Sequence, residues 1–397
     1  MKEVQSITPV FYARGVNAPY TEGHIQVIRM MTKSLSLYHV ESIIFNYKYS
    51  TNLLTVEDRH VSKRRIEQKI PLVTRDSLYK FNAAIAAYAL SMETLKTFRF
   101  FLIENTLKSG GYVVNIVNCS RYPRMLLRRL SRAPIILHFY MPNIRLKSAT
   151  QVLTEKANLI IASSHTLSKY LERIGVDKEK IRVVYPPIDT ELYRPRRKEL
   201  IRSQLDLPTK AKVILYIGGL KRTRFPNETV LGAMKKLAKE IPEALLLVFT
   251  PRSALNIKRI LEISSLSRNI DMYARDLTDS DKSEIYSLAD VFLFPNFAAG
   301  TAIEPPLTVL EAMSSGTPVV APKTPSLEEI LTDNKNGFLF EANSSEALAN
   351  KLTEVLLNTQ LRVQVSEQAR QTINQKASLL IAGANIIELH RRLLNSL

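Results

Sequence analysis

The sequence predicts an α/β protein with two Rossmann-like domains, each built on a parallel sheet. Short apolar runs rich in β-branched residues alternate with segments of helical periodicity, which is typical of βα units. This alternation occurs twice, and the residues between the two series, 185–208, follow neither period. The 397 residues also exceed the usual size of a single hydrophobic core. We therefore expect two domains of comparable size.

The first series predicts the N-terminal sheet. Helices are predicted over Gly23–Ser36 and Thr166–Ile174, and the second should stop at Gly175, because glycine favours the left-handed backbone of a helix end. The predicted strands of this series are Val4–Phe11, Val40–Phe45, Tyr112–Val117, Ile135–His138, Leu159–Ala162 and Arg182–Tyr185.

The second series predicts a C-terminal domain of the same class. Its predicted strands are Val213–Ile217, Leu245–Thr250, Ile270–Tyr273, Val291–Phe294 and Pro318–Ala321. Its predicted helices are Val230–Glu240, Lys282–Leu288, Leu307–Ser314 and Glu346–Asn358. The proline-containing stretch between the series is predicted as a linker, which gives domains of residues 1–190 and 191–377 with a last helix, about 378–397, packing back on the first domain. Since ligands of such sheets bind beyond the carboxyl ends of the strands, we expect the two domains to face a cleft.

Composition limits where the protein works. The single cysteine, Cys119, excludes an internal disulfide framework and indicates a reducing compartment. No signal peptide is predicted, because the sequence does not open with charged residues followed by an apolar run. The apolar stretch Phe81–Leu107 is interrupted by charges, which makes it too polar to span a bilayer. We expect a cytoplasmic protein.

Positive charge is concentrated in the first half of the chain. Residues 1–190 hold 28 Lys and Arg against 14 Asp and Glu, whereas the rest holds 27 against 23, within a net charge of +18. Such asymmetry indicates a polyanionic partner for the first half, either nucleic acid or anionic lipid. Charge that served solubility alone would be spread over both halves.

The predicted helix at Leu307 has features of an anion site. Pro305 and Pro306 precede it and suit a first turn, and the N–H groups around Leu307 and Thr308 lack intrahelical acceptors. Glu311, one turn further, is placed to accept hydrogen bonds from ribose hydroxyls of a nucleotide whose diphosphate binds at the helix start. From spacing alone, a solvated carboxylate on an ordinary helix is the simpler interpretation.

Several segments, in order along the chain, resemble the retaining nucleotide-sugar glycosyltransferases of the GT-B fold, family 4. The run LEAMSSGTPVVA resembles the signature of that family. The other similar segments are KANLIIASSHTLSKYL, IRVVYPPIDTELYRP, YIGGLKRTRFP and ADVFLFP. The resemblance implies transfer of a hexose from a nucleotide-sugar to a lipid-linked saccharide or another glycan, with retention of configuration.

The resemblance also implies roles for residues of the loop after the first C-domain strand. The family pattern places an Arg and, after four residues, a Lys on the donor diphosphate; Gly219 and Arg224 occupy these positions here. We expect Gly218, Gly219 and Arg224 to bind the donor and Arg224 to act in catalysis as the diphosphate clamp, since a guanidinium can bind phosphate oxygens in pairs. Lys221 or Arg222 would offset the missing Arg.

Recognition of the sugar is where the sequence departs from the family. The family carboxylate eight positions before Glu311 is replaced by Ile303, and Glu304 lies one residue later. Either Glu304 takes this catalytic position, which we favour, or backbone N–H groups near Gly300 and Thr301 contact the sugar.

Two residues of the N-terminal domain match family elements. Gly23, after the first strand, fits the glycine loop that approaches the donor, and His138 fits the catalytic histidine that reaches the donor sugar. No metal site or other cofactor is predicted, because Arg224 and a helix N-terminus can neutralise the diphosphate and Cys119 has no zinc-ligand partners.

Residues 121–132 leave the polyanionic partner open. Their arginines alternate with leucines at helical spacing, which favours an amphipathic helix on anionic lipid through Arg124, Arg128 and Arg129. A core-packed helix with an arginine-rich solvent face fits nearly as well, and a nucleic-acid-binding protein is the weaker alternative because no nucleic-acid motif surrounds the segment. A non-hydrolysing sugar-nucleotide epimerase on the same fold is the other alternative. We expect no nucleic-acid partner and a peripheral position at the cytoplasmic face of a membrane.

Overall fold

The computed structural model describes residues 8–13, 23–40, 42–46, 112–117, 134–142, 154–251, 263 and 269–396. This part of the chain forms two compact units. Unit 1 takes its described residues from the chain up to Ser163, from Ser168–Val184 and from Gly383 onward, and unit 2 comprises Ser164–Leu167 and Tyr185–Ala382.

Strands of both units pair in parallel throughout. Unit 1 contains β1 (Thr8–Ala13), β2 (Ile43–Asn46), β3 (Tyr112–Val117), β4 (Ile135–Phe139), β5 (Leu159–Ala162) and β6 (Ile181–Val183). Unit 2 contains β7 (Lys212–Ile217), β8 (Ala244–Thr250), β9 (Ile270–Ala274), β10 (Val291–Leu293), β11 (Val319–Pro322) and β12 (Phe338–Phe340).

Ten α-helices have defined bounds in the described part of the chain. They are α1 (Gly23–Ser36), α2 (His165–Arg173), α3 (Lys198–Gln204), α4 (Asn227–Glu240), α5 (Asp279–Leu288), α6 (Leu307–Ser314), α7 (Pro325–Glu328), α8 (Ser345–Leu357), α9 (Thr359–Lys376) and α10 (Leu379–Asn395). None of the helices described is long and apolar enough to cross a membrane.

The sheet of unit 1 has the order β2-β1-β3-β4-β5-β6. The expected strand at Val40 begins three residues later, because Val40 closes α1: its N–H donates to Leu35 O (3.2 Å), and His39 has a φ of 58°. The predicted stop at Gly175 is confirmed. Gly175 has a φ of 91°, its N–H donates to Glu172 O, and the following N–H reaches back to Leu171 O, as in a Schellman motif.

The sheet of unit 2 has the order β12-β11-β10-β7-β8-β9. The chain fills one side of β7 with its first three strands and then crosses to β10 on the other side. This is the strand order of a doubly wound nucleotide-binding domain, whose ligand crevice lies where the order reverses, here between β7 and β10. The central strands are apolar on both faces, and Ile214, Leu215 and Phe292 are wholly buried.

One part of the predicted linker is wrong, because α3 lies within it. Lys198 and Arg202, one turn apart, donate to the two carboxylate oxygens of Asp290, which is 7% exposed. Asp290 also accepts from Val213 N (2.7 Å), the second residue of β7. Charge-assisted bonds to a buried carboxylate therefore hold this short helix, together with the partly buried Ile201, which packs on the core of unit 2.

Candidate donor-binding site

Two loops leave the same edge of the unit 2 sheet at the reversal of strand order. β7 and β10 are paired neighbours, so the segment after β7, Gly218–Pro226, and the segment after β10, residues 294–306, start side by side. We call them the β7 loop and the β10 loop. Arg224 Nη2 of the first donates to Thr301 O of the second at 2.6 Å. The two loops predicted to bind the donor are thus joined by a hydrogen bond.

The β7 loop is held at both ends. Gly218 N donates to Phe249 O (2.9 Å), and the Tyr216 hydroxyl donates to Gly219 O (2.8 Å). A Cβ on Gly218 would lie 2.7 Å from that hydroxyl oxygen, which explains the glycine. At the other end Phe225 is fully buried against the Tyr216 ring, with ring centroids 4.9 Å apart. Between these anchors the loop exposes a cluster of basic side chains, Lys221, Arg222 and Arg224.

The β10 loop is organised by its own side chains. Asn296 Nδ2 donates to Thr301 Oγ1 (2.8 Å), and Asn296 Oδ1 accepts from Ala298 N (3.0 Å). Gly300 has a φ of 71°, a backbone conformation that glycine adopts without strain. The carbonyl of Thr301 that meets Arg224 is therefore carried by an ordered turn.

Helix α6 begins at Leu307, as predicted, after Pro306 in an extended conformation. Leu307 and Thr308 are partly exposed, whereas the next residues of the helix are buried. Their N–H groups belong to the first turn, which has no intrahelical acceptors for them. The start of α6 thus lies directly after the β10 loop, which meets the basic β7 loop at Thr301.

A polar side chain beside the β7 loop lacks a protein partner. Both Asn227 Oδ1 and Nδ2, in the first turn of α4, are buried without a hydrogen bond to any described residue. Thr250 Oγ1, at the carboxyl end of β8, is also buried without a hydrogen bond to any described residue. Buried amides are normally paired because an unmade hydrogen bond costs about 1–3 kcal/mol. Two such groups at one edge of a sheet fit a site that is completed by a ligand.

Glu311 is buried, with 4% of its surface exposed, and its carboxylate accepts hydrogen bonds from protein side chains. Oε1 accepts from Lys282 Nζ (3.0 Å) and the Tyr193 hydroxyl (3.3 Å), and Oε2 accepts from the Tyr286 hydroxyl (2.9 Å). Burial and the charge of Glu311 together raise the pKa of both tyrosines, which keeps them protonated as donors. Sequence reasoning missed these three partners. Only the spacing of Lys282 and Tyr286, which puts them on one helix face, gave a sign of them.

Glu304 is also buried, with 8% exposed, and so is Ile303, the family's carboxylate position. Burial raises the pKa of Glu304; a hydrogen bond from Gly300 N–H opposes this rise, and the negative charge of Glu329 adds to it. The side chain that we favoured for sugar recognition is therefore turned toward the backbone of its own loop. Its catalytic role stays a prediction.

The predicted unit 1 residues lie on β4 and α1. Gly23 is the first residue of α1. His138 is wholly buried, Nε2 lies 2.9 Å from Asn115 Oδ1, and Nδ1 lies 3.3 Å from the Tyr140 hydroxyl. Asn115 Nδ2 in turn lies 3.1 Å from Nε2 of His390, on α10. The sequence gave no reason to connect two histidines that meet only through tertiary structure.

The remaining site predictions concern the membrane and metals. Arg124, Arg128 and Arg129 lie outside the described residues. Within the residues that the structure does describe, no group of three or more His, Cys, Asp or Glu side chains could hold a metal ion.

The sequence of unit 2 shows which family the chain resembles. Residues 197–372, less than half of the chain, match the model of the glycosyl transferases group 1. The match includes the β7 loop, the β10 loop and α6, so the resemblance read from the sequence is confirmed over the site itself.

Relatives and solved structures extend this likeness. The D-inositol 3-phosphate glycosyltransferase of Corynebacterium urealyticum is 28% identical over 261 residues, which cover 64% of this chain and 60% of that protein. The chain thus spans about half to three fifths of the length of the curated relatives that it matches.

The solved structures establish the fold. Sucrose-phosphate synthase from Thermosynechococcus elongatus has a TM-score of 0.72 at 15% identity, over 98% of this chain and 100% of that one. Anabaena HepE, solved with UDP and glucose, has a TM-score of 0.66 at 16% identity with the same coverage. The predicted α/β fold with two Rossmann-like domains, the GT-B fold, is confirmed.

Proposed function

We propose that the chain is a retaining hexosyltransferase. It takes a sugar from a nucleotide-sugar that binds at the β7–β10 edge of the group 1 domain, and transfers it to a lipid-linked saccharide or another glycan. The glycosidic bond forms between the acceptor oxygen and the anomeric carbon while the bond from that carbon to the diphosphate oxygen breaks. The departing phosphate takes the proton of the acceptor hydroxyl.

The observation that carries the proposal is the hydrogen bond between Arg224 and Thr301. It joins the two loops that flank the reversal of strand order and holds an exposed guanidinium against the loop that leads into α6. A guanidinium has five N–H donors, and the bond to Thr301 uses one nitrogen, so other N–H groups can meet phosphate oxygens. The relative solved with UDP and glucose, Anabaena HepE, supports a nucleotide donor.

Leaving-group stabilisation is the contribution of these residues to catalysis. As the sugar departs, negative charge grows on the diphosphate, and donors fixed in advance around it lower the barrier. Arg224, with Lys221 and Arg222 beside it, supplies positive charge, and the first-turn N–H groups of α6 supply dipoles. No covalent nucleophile is needed.

The acceptor proposal rests on the charge of the sequence. The excess of Lys and Arg in residues 1–190 and the arginine–leucine pattern of residues 121–132 favour an acceptor presented at an anionic membrane surface. We propose a peripheral protein at the cytoplasmic face, with no tightly bound cofactor or metal.

Thermal stability with nucleotide-sugars tests the proposal. UDP-glucose, GDP-mannose and ADP-glucose are each added to the purified chain, with the free sugar as a control. A ligand at 100 times its Kd should stabilise the folded state by about 2.7 kcal/mol, so one nucleotide-sugar should raise Tm by several degrees and the free sugars should not. Stabilisation by none of the three, tested up to millimolar concentration, would contradict a donor site.

Product analysis then separates transfer from epimerisation. The stabilising donor is incubated alone and with a polyprenyl-linked saccharide. A transferase leaves the nucleotide-sugar unepimerised without acceptor and forms a glycoside with it, and NMR of the anomeric proton gives the stereochemistry. Conversion of the donor to its epimer in the absence of acceptor would instead support the epimerase.

A further inference from the structure

A buried polar cluster surrounds Glu311 and joins three segments of unit 2. Lys282 Nζ on α5 lies 3.0 Å from Asp279 Oδ1 and 3.0 Å from Glu311 Oε1 on α6. The hydroxyl of Tyr193, which precedes α3, reaches the same two carboxylate oxygens at 3.3 Å. Tyr286, fully buried, completes the cluster on Glu311 Oε2.

The charges of the cluster do not cancel. Two carboxylates face a single ammonium group, so Asp279, Glu311 and Lys282 together carry one net negative charge. Burial lowers the pKa of Lys282, but Glu311 and Asp279 outweigh it and raise the pKa above the ordinary value. Lys282 therefore stays charged, and its ammonium is engaged by both carboxylates and lies 5.7 Å from the centre of the Tyr193 ring.

The two oxygens of Glu311 are not equivalent. Each carboxylate oxygen can accept about two hydrogen bonds. Oε1 lies within hydrogen-bond distance of two donor groups, the Lys282 ammonium and the Tyr193 hydroxyl, whose single proton Oε1 shares with Asp279 Oδ1. Oε2 is reached by one donor, Tyr286. The larger remaining accepting capacity of the carboxylate therefore lies on Oε2.

We propose that Lys282 and Tyr193 are positioning residues that bind Oε1 of Glu311 and present Oε2 to one hydroxyl of the donor ribose. This inference rests on the proposed donor site. The packing keeps the cluster in one arrangement: the Tyr193 and Tyr286 rings meet edge to face with centroids 6.2 Å apart, and the hydroxyl of Ser314 donates to the Tyr193 carbonyl (2.7 Å). Without Lys282 the carboxylate loses the one cation that pairs with it among the described residues, and it can rotate away from the ribose.

Nucleotide affinities with and without a ribose hydroxyl test the positioning role. UDP, GDP and ADP are titrated calorimetrically, and the tightest of them is compared with its 2′-deoxy and 3′-deoxy forms. In the wild type one deoxy form should bind about tenfold more weakly or worse, as expected for a lost hydrogen bond to a charged group. Glu311→Gln should largely remove this preference.

The variants of the positioning residues should act on the ribose alone. Lys282→Met and Tyr193→Phe should weaken the ribonucleotide severalfold while the Kd of the discriminated deoxy form stays within about twofold. Lys282→Arg should restore much of the preference. Lys236→Met, which removes an exposed lysine paired with Glu346, is the matched control and should behave as the wild type.

Each outcome has a distinct meaning. A wild type that binds none of the three nucleotides contradicts the proposed function itself. A wild type that binds but does not distinguish deoxy forms overturns this inference alone, as does a preference that survives in both Lys282→Met and Tyr193→Phe. Should Lys282→Met fail to fold, Tyr193→Phe, which keeps the ring, decides.

Discussion

Acid should weaken unit 1 through His138 and His390, which are both buried. Burial and, to a lesser extent, the charge of His390 lower the pKa of His138 to about 3. Burial, partly opposed by the bond to the Ile386 carbonyl, lowers the pKa of His390 to about 4. The hydrogen bonds fit two neutral rings: His390 Nδ1–H donates to that carbonyl, and Asn115 bridges the two Nε2 atoms.

The sign of the effect follows from proton uptake. The unfolded chain protonates each histidine near pH 6.5, whereas the folded chain does so only below about 4. The unfolded state therefore binds more protons as the pH falls below 6.5, and the free energy of unfolding falls with it. Between pH 7 and pH 5 each histidine should remove about 2 kcal/mol, or roughly 4 kcal/mol for the pair, at about 1.4 kcal/mol per pH unit.

Replacing one histidine isolates its share. His390→Gln removes one titrating group, so the difference in stability between pH 7 and pH 5 should shrink by about 2 kcal/mol, even though the variant is less stable at pH 7. His165→Gln, at an exposed histidine of α2, is the control and should keep the full difference.

Amide hydrogen exchange of the β4 segment, Ile135–Phe139, gives the stability of unit 1 separately from that of unit 2. The exchange free energies are measured at both pH values for the wild type and the two variants, after correction for intrinsic exchange rates. An unchanged pH 7 to pH 5 difference in His390→Gln would show that His390 does not titrate as its burial requires.

Three further predictions concern the donor loop, the last helix and the membrane. Arg224→Ala should cut the rate of transfer by about two orders of magnitude or more, because a charge-assisted phosphate contact is lost, and Arg224→Lys should keep part of the rate. Steady-state kinetics measure this effect, with Arg392→Ala, at an exposed arginine, as the control. Near-full activity of Arg224→Ala would show that another residue clamps the diphosphate. Gly383→Ala should lower the free energy of unfolding by about 1–3 kcal/mol, because the new Cβ would lie 2.8 Å from the Ser34 carbonyl oxygen. An unchanged free energy of unfolding in urea would contradict this close packing of α10 on α1. The protein should sediment with anionic liposomes at low salt and less so at moderate salt. Replacement of Arg124, Arg128 and Arg129 by Glu should abolish this binding. Recovery of the wild type in the supernatant under every condition would favour a soluble acceptor.

Local sequence patterns were sufficient to predict most of the sheet. Strands such as β7 and β8 are buried on both faces, so their sequences are continuous runs of β-branched residues and leucine. Such runs lack the apolar periodicity of an amphipathic helix. The start of α6 was predictable because Pro306 cannot continue a preceding helix and suits the position before one. In contrast, α9 was missed because its buried face consists of Arg362, Val365, Ala369 and Ile373, which gives only a weak apolar stripe.

The surroundings of the site residues could not be predicted, because their partners lie far apart in the chain. Tyr193 and Glu311 are 118 positions apart, and Asn115 and His390 are 275 apart. Periodicity reports which face of an element is buried but not which side chain of another element meets it. Family resemblance named Arg224 and Glu311 as site residues, but their hydrogen bonds required the structure.

Hydrogen exchange with bound nucleotide tests the donor site most directly. The chain is saturated with whichever of UDP, GDP or ADP binds, and deuterium uptake is compared with and without it. We predict that protection centres on the β7 loop, Gly218–Pro226, and on the β10 loop together with the first turn of α6, residues 294–311. Protection confined to other segments, with these two unchanged, would contradict a donor site between β7 and β10.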